Sequence, residues 1–150
     1  MSASPKQWTV QVVSPQVGPL GVLRDGVPLG AEIGPGLTTP VEILLVSVGT
    51  CFALSCHAAF TLRKRERVGF EVSVTGRKAP QPPSRLANIQ LEVTFDTGLP
   101  PEEAQALSAL AKQLCTVTNT LMSEPPCTVS VDIRAGASGP GQLRISAQKK

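Results

Sequence analysis

Between Ile43 and Phe60 no residue carries a charge at neutral pH, and this stretch predicts the element around which the rest of the chain is arranged. Just ahead of it, Thr39, Pro40 and Glu42 have the order of a helix start. A Thr side chain accepts from the first free N–H groups, Pro suits the first helical position, and a Glu three residues on closes a capping box. A helix that is apolar all round is expected to be buried all round. Its length also matches a bilayer span. However, Ser47, Gly49, Thr50, Ser55 and His57 dilute it, and the strand-like segments on both sides would have no partner beside one membrane helix. The pattern therefore predicts the central helix of a soluble domain and not a membrane span.

The flanking segments alternate. Trp8, Val10 and Val12 recur at every second position, as in a half-buried strand. Residues 20–33 predict two short strands around Asp25-Gly26, a dipeptide favoured in tight hairpins, before Gly34, Pro35 and Gly36 break the pattern. Beyond the helix, Val68, Phe70, Val72 and Val74 share one face, and Ala87, Ile89, Leu91, Val93 and Phe95 share another. The polar, proline-rich residues 77–85 between them predict antiparallel neighbours joined by a longer loop. Pro100, Pro101, Glu102 and Glu103 then open a second helix with its acidic residues in the favourable first turn. Its stripe of Ala104, Leu107, Leu110, Ala111 and Leu114 ends at Cys115, and residues 116–122 predict a short third helix. Cys127, Val129, Val131 and Ile133 alternate as a last strand. One domain is expected over residues 1–150, with its core over about 8–134 and 135–150 a loose tail that could add an edge strand at 143–145.

Composition changes this picture in two respects. The net charge of +3 is mild, and its one dense basic run, Arg63, Lys64, Arg65 and Arg67, falls where the central helix ends and where cations suit the helix dipole. With one Trp and no Tyr there is no aromatic interleaving for base stacking, which argues against nucleic acid as a partner. The opening MSASPKQWTV has no apolar run of signal-peptide length, which predicts a cytoplasmic chain.

In such a reducing compartment Cys51, Cys56, Cys115 and Cys127 are expected as thiols and not as structural disulfides. They lack close C-x-x-C pairs, and His57 is the one histidine, so no metal site is predicted. There is also no internal repeat, no Gly-rich phosphate loop and no nucleophilic Ser motif with a His for a hydrolase triad. On a helix, Cys51 and Cys56 point about 140° apart and lie about 7.5 Å apart along the axis. A disulfide needs converging Cβ atoms, so any partner of Cys51 within the chain lies elsewhere.

Two of these segments resemble a known family. TTPVEILLVSVGTCFAL, residues 38–54, is similar to the central-helix motif of the OsmC/Ohr proteins, named for osmotically inducible protein C and organic hydroperoxide resistance protein. CTVTNTL, residues 115–121, resembles that family's second motif, Cys-Pro-Val-Ser-Asn-x-Leu. The resemblance spans roughly Trp8 to Ile133. It implies an OsmC-like α+β fold working as an intertwined homodimer, with two active sites built from both subunits. It also implies a thiol peroxidase acting on organic hydroperoxides, with Cys51 as the peroxidatic thiol and Cys115 as the resolving one. No metal or bound organic cofactor is implied, and the reductant would be a lipoylated protein or another dithiol.

Only a thiolate attacks a peroxide, and a mid-helix position among apolar residues disfavours the charged sulfur, so a cation has to be brought to Cys51. Cys115, at the junction of two helices, could instead use a helix N-terminus. In the peroxidases the resemblance points to, the cation is an Arg from the N-terminal strands, held by a Glu ten residues before the reactive Cys. Here that position is Val41, and the acidic residue is Glu42, turned by about 100° on the helix. Arg24 is the N-terminal candidate for the Arg, and Thr116 replaces the usual Pro after the second Cys. The expected function is reduction of bulky organic hydroperoxides. The alternative, supported by Val41, is a non-catalytic OsmC-like small-molecule binder or redox sensor.

Overall fold

The computed structural model describes residues 4–96 and 98–129. The elements are β1 (Gln7–Ser14), β2 (Gly21–Arg24), β3 (Val27–Pro28), α1 (Pro40–Leu62), β4 (Phe70–Lys78), β5 (Leu86–Phe95), α2 (Pro101–Leu114) and α3 (Thr116–Met122). Chain contacts divide into two units, residues 1–119 and residues 120–150. In the second unit, the last turn of α3 is followed by residues 124–128 with no regular structure. The predicted last strand falls mainly on residues outside the described ones, as do the tail and its edge strand.

In the first unit the strands form one antiparallel sheet in the order β3-β2-β1-β4-β5. The hairpin is where Asp25-Gly26 predicts it, with both residues at positive φ, 52° and 75°, as a tight primed turn requires. Its second strand is shorter than predicted. After Leu29, whose N–H still donates to the carbonyl of Val22, the chain leaves the sheet and Thr38 ties the loop down, its hydroxyl donating to the carbonyl of Gly30 and its N–H to that of Glu32. Strands β4 and β5 pair as predicted, with one difference at the end. A register shift at Arg77/Lys78 puts Leu86 opposite Lys78, so Leu86 packs on the core while Ala87 is exposed.

Helix α1 starts as its sequence dictates. Thr39 is the N-cap, its Oγ1 accepts from the N–H of Glu42, and the carboxylate of Glu42 accepts from the N–H of Thr39. By length and composition α1 could cross a membrane, with mean hydropathy 1.9, but one side of it lies on the sheet. Leu45, Val48, Phe52, Ala53, Cys56, Ala59 and Phe60 join Val10, Val12, Phe70, Val72 and Val74 in the core, and α2 adds Leu107 and Ala111. The expectation of burial all round is corrected here. Ile43, Leu44, Leu54 and Leu62 remain 37%, 36%, 56% and 63% exposed, because this chain's own sheet and α2 cover the other faces.

Gly49 sets how closely α1 approaches the sheet. A Cβ there would stand 2.8 Å from a methyl of Val12 and 2.9 Å from one of Val74, both fully buried. Alanine gains about 1 kcal/mol of helix propensity, whereas overpacking a closed core costs about 1–3 kcal/mol. Gly49→Ala is therefore expected to lower the urea midpoint, with a net loss of up to about 2 kcal/mol in unfolding free energy. An unchanged or raised midpoint would refute this packing argument.

Candidate active site

The structure brings Arg24 and Glu42 together. Nη1 of Arg24, on the strand before the Asp25-Gly26 turn, donates to Glu42 Oε1 at 2.8 Å and to the carbonyl of Leu37. Glu42 is buried. Burial alone would raise its pKa, but the N–H of Thr39, then Arg24, outweigh it and hold the carboxyl below the ordinary carboxylate range. A lowered folded-state pKa means a contribution to stability that is complete above the unfolded value of about 4.3. It is lost as pH falls through the folded value. Glu42→Gln is expected to cost about 1–3 kcal/mol at pH 7. The gap to the parent chain should shrink as urea unfolding is repeated towards pH 3, whereas a gap independent of pH would exclude the charge as its cause.

Cys51 sits nine residues beyond Glu42 on the same helix, roughly 13.5 Å along the axis. Within one chain, therefore, the Arg24–Glu42 pair occupies the first turn of α1 and the thiol lies further along it. Cys51 is half-buried at the margin of the core, and its carbonyl accepts from Ser55 Oγ at 2.8 Å. It falls on the uncovered stripe of α1. Leu44, Ser47, Leu54 and Ala58 are exposed, and with Cys51 they recur three or four residues apart.

Cys56 faces the other way and is wholly buried, with its thiol pushed up to about 12, first by burial and then by the neighbouring Cys115. Cys115 is also fully buried, at the extended link between α2 and α3, where the hydroxyl of Thr118 donates to its sulfur and the N–H of Asn119 to its carbonyl. All four cysteines are free thiols.

Next to this link is a cavity of about 460 Å³ walled by Phe52, Leu91, Val93, Ser108, Ala109, Lys112 and Thr118. Apolar side chains form most of its lining and Lys112 is its one cation. Thr118 connects the cavity to Cys115, and Phe52 is the next residue after Cys51. Of these residues Phe52 and Thr118 lie in the two motifs recognisable from sequence. The others are ordinary strand and helix positions until the fold assembles them.

His57 is half-buried, with Nε2 2.7 Å from the buried Ser14 Oγ and its ring edge-on to Phe70. Burial, then Arg67, lowers its pKa, which keeps the ring neutral and able to satisfy Ser14. Among the described residues no group of three or more His, Cys, Asp or Glu side chains is arranged to hold a metal.

The sequence matches the OsmC family, described as OsmC-like protein, over residues 34–130. The chain belongs to that family. An OsmC-like hydroperoxide resistance protein from Jannaschia sp. CCS1, known from its crystal structure, is 18% identical, with a TM-score of 0.55 over 94% of this chain and 99% of its own. That likeness establishes the α+β OsmC-like fold. No curated protein matches. The matched OsmC-like segment contains Cys51, Cys56, Cys115 and Glu42, while Arg24 lies before it.

Proposed function

We propose that this OsmC-like protein is a thiol-dependent peroxidase for organic hydroperoxides, working in a reducing compartment such as the cytoplasm. The observation that carries the reading is the contrast on α1: Cys51 is half-buried and reachable, whereas Cys56 is sealed and held as a thiol. In the proposed reaction the Cys51 thiolate attacks the terminal peroxide oxygen and the O–O bond breaks. The alkoxide leaves and takes up a proton, and Cys51 becomes a sulfenic acid. Cys115 then attacks that sulfur, water departs, and a Cys51–Cys115 disulfide forms. An external dithiol, carried on a lipoylated protein or another donor, returns both thiols by exchange.

Cys115 has to move for this step, and its place at the break between two helices offers a joint for that motion. The apolar cavity beside it suits the alkyl part of a bulky hydroperoxide better than hydrogen peroxide. The cation Cys51 requires is proposed to be Arg24 of a second copy, since Glu42 holds each chain's own Arg24 at the first turn of α1, roughly 13.5 Å along the axis from that chain's Cys51. A homodimer, with the uncovered stripe of α1 as its interface, accounts for both features.

The test is mass spectrometry after one equivalent of organic hydroperoxide. The expected product is a Cys51–Cys115 crosslink in the parent chain, a sulfenic acid at Cys51 in Cys115→Ser, and neither in Cys51→Ser. Oxidation confined to Cys56 or Cys127 would overturn the mechanism. A second reading, a binder or redox sensor without turnover, is favoured by Val41 at the usual Glu position. It requires stoichiometric oxidation of Cys51 with no sustained consumption of cumene hydroperoxide in the presence of a dithiol.

A further inference from the structure

At the end of the sheet where β4 meets β5, three segments carry four cations, of which Lys6, Lys78 and Arg85 line one cavity, while Arg77 lines only the other and donates from Nε to Gln7 Oε1. Lys6 precedes β1, Arg77 and Lys78 end β4, and Arg85 precedes β5. Backbone hydrogen bonds fix their spacing. The N–H of Lys78 donates to the carbonyl of Lys6, and the N–H of Ala79 to that of Arg85, both at 2.9 Å. Two cavities open there. One of about 660 Å³ is lined by Pro5, Lys6, Arg77, Lys78, Pro80 and Asn88, among others. A smaller one of about 240 Å³ is lined by Lys6, Trp8, Val41, Lys78, Arg85 and neighbouring residues. Lys6 and Lys78 line both, and the Lys6 ammonium lies 4.9 Å from the centre of the Trp8 ring.

No carboxylate lines either cavity, and among the described residues none of the four cations is in a salt bridge. The nearest acidic residue on β4 is Glu71, roughly 20 Å along the strand from Arg77. On β5 it is Glu92, paired with Ser73 and so roughly 13 Å from the level of Arg77. Both separations exceed the screening length of about 8 Å at physiological salt. Arg85 spends Nη1 on the carbonyls of Gln81 and Pro83, which leaves other guanidinium donors for a ligand. Several cations with no counter-charge match a multiply charged anion better than a single carboxylate. The adjoining Trp8, Val41, Leu86 and Pro80 offer apolar contact to an organic part.

We propose that Lys6, Lys78 and Arg85, which line the smaller cavity together with Trp8, form a binding site for a small organic molecule bearing a phosphate or pyrophosphate group. The site is separate from the thiols and stands whether or not the peroxidase reading holds. Trp8 is the one tryptophan of the chain, so its fluorescence reports on this site directly. Titrating the full chain with inorganic pyrophosphate is expected to give a saturable change in Trp8 emission that sodium chloride at equal ionic strength does not reproduce. Both Lys6→Gln and the double variant Lys78→Gln/Arg85→Gln should raise Kd at least about tenfold. Arg63→Gln, whose guanidinium pairs with Glu103 elsewhere, should leave it unchanged. A linear or salt-matched response, equal Kd in the cation variants, or an oligonucleotide that binds while pyrophosphate fails to displace it would each overturn the proposal.

Discussion

Cys51→Ser is expected to lower dithiol-dependent consumption of cumene hydroperoxide by about 10³-fold or more, to the rate without protein. The proposed reaction begins with a lone pair on sulfur attacking the peroxide oxygen, and a serine hydroxyl at the same place is neither ionised near neutral pH nor comparably nucleophilic. The control that gives this result meaning is Cys56→Ser. Cys56 is on the same helix but fully enclosed, with its thiol pushed up to about 12, so it supplies almost no thiolate at pH 7. Turnover in Cys56→Ser should stay within a few-fold of the parent once the folded fraction is measured, which matters because placing a hydroxyl in that core costs stability. Similar losses in both variants would mean that the effect is structural. Full activity in Cys51→Ser would remove the proposed nucleophile altogether.

What could be read from the sequence was local. The capping box at Thr39 and Glu42, the Asp25-Gly26 hairpin and the alternation in β4 and β5 are each set by residues a few positions apart, and each is found in the structure. The misses are long-range. Ser14 and His57 meet across 43 positions, and neither residue type announces the other. The pairing of Arg24 with Glu42 could be proposed from the resemblance but not located, because it depends on how the β2 hairpin folds back over the start of α1. The exposure of Leu54 and Leu62 is not legible in the sequence because a hydrophobic residue calls for cover without specifying what supplies it. The neighbourhood of Cys56 and Cys115 had the same cause, since helix geometry excluded a Cys51–Cys56 bond and was silent on what α2 brings to the opposite face.

That uncovered face leads to the prediction with the other large effect. The parent chain is expected to be a dimer in analytical ultracentrifugation, and Leu54→Arg is expected to make it a monomer, raising the dissociation constant by about 10³-fold, equivalent to about 4 kcal/mol. Leu54 is 56% exposed in the single chain, so an arginine there reaches water and should change monomer unfolding by no more than about 0.5 kcal/mol. Facing a second copy of the stripe, the same arginine would be an unpaired charge against Leu44, Ala58 and their counterparts, and desolvating it costs several kcal/mol. Because Cys51 shares this stripe, the variant also separates two ways of building the site. If Arg24 of the second copy provides the cation, the monomeric variant loses peroxide turnover although its own Cys51, Cys115, Arg24 and Glu42 are unchanged. A monomer that keeps full activity would show that one chain suffices and that the pairing of copies serves something else. A parent chain already monomeric at micromolar concentration would remove the interface.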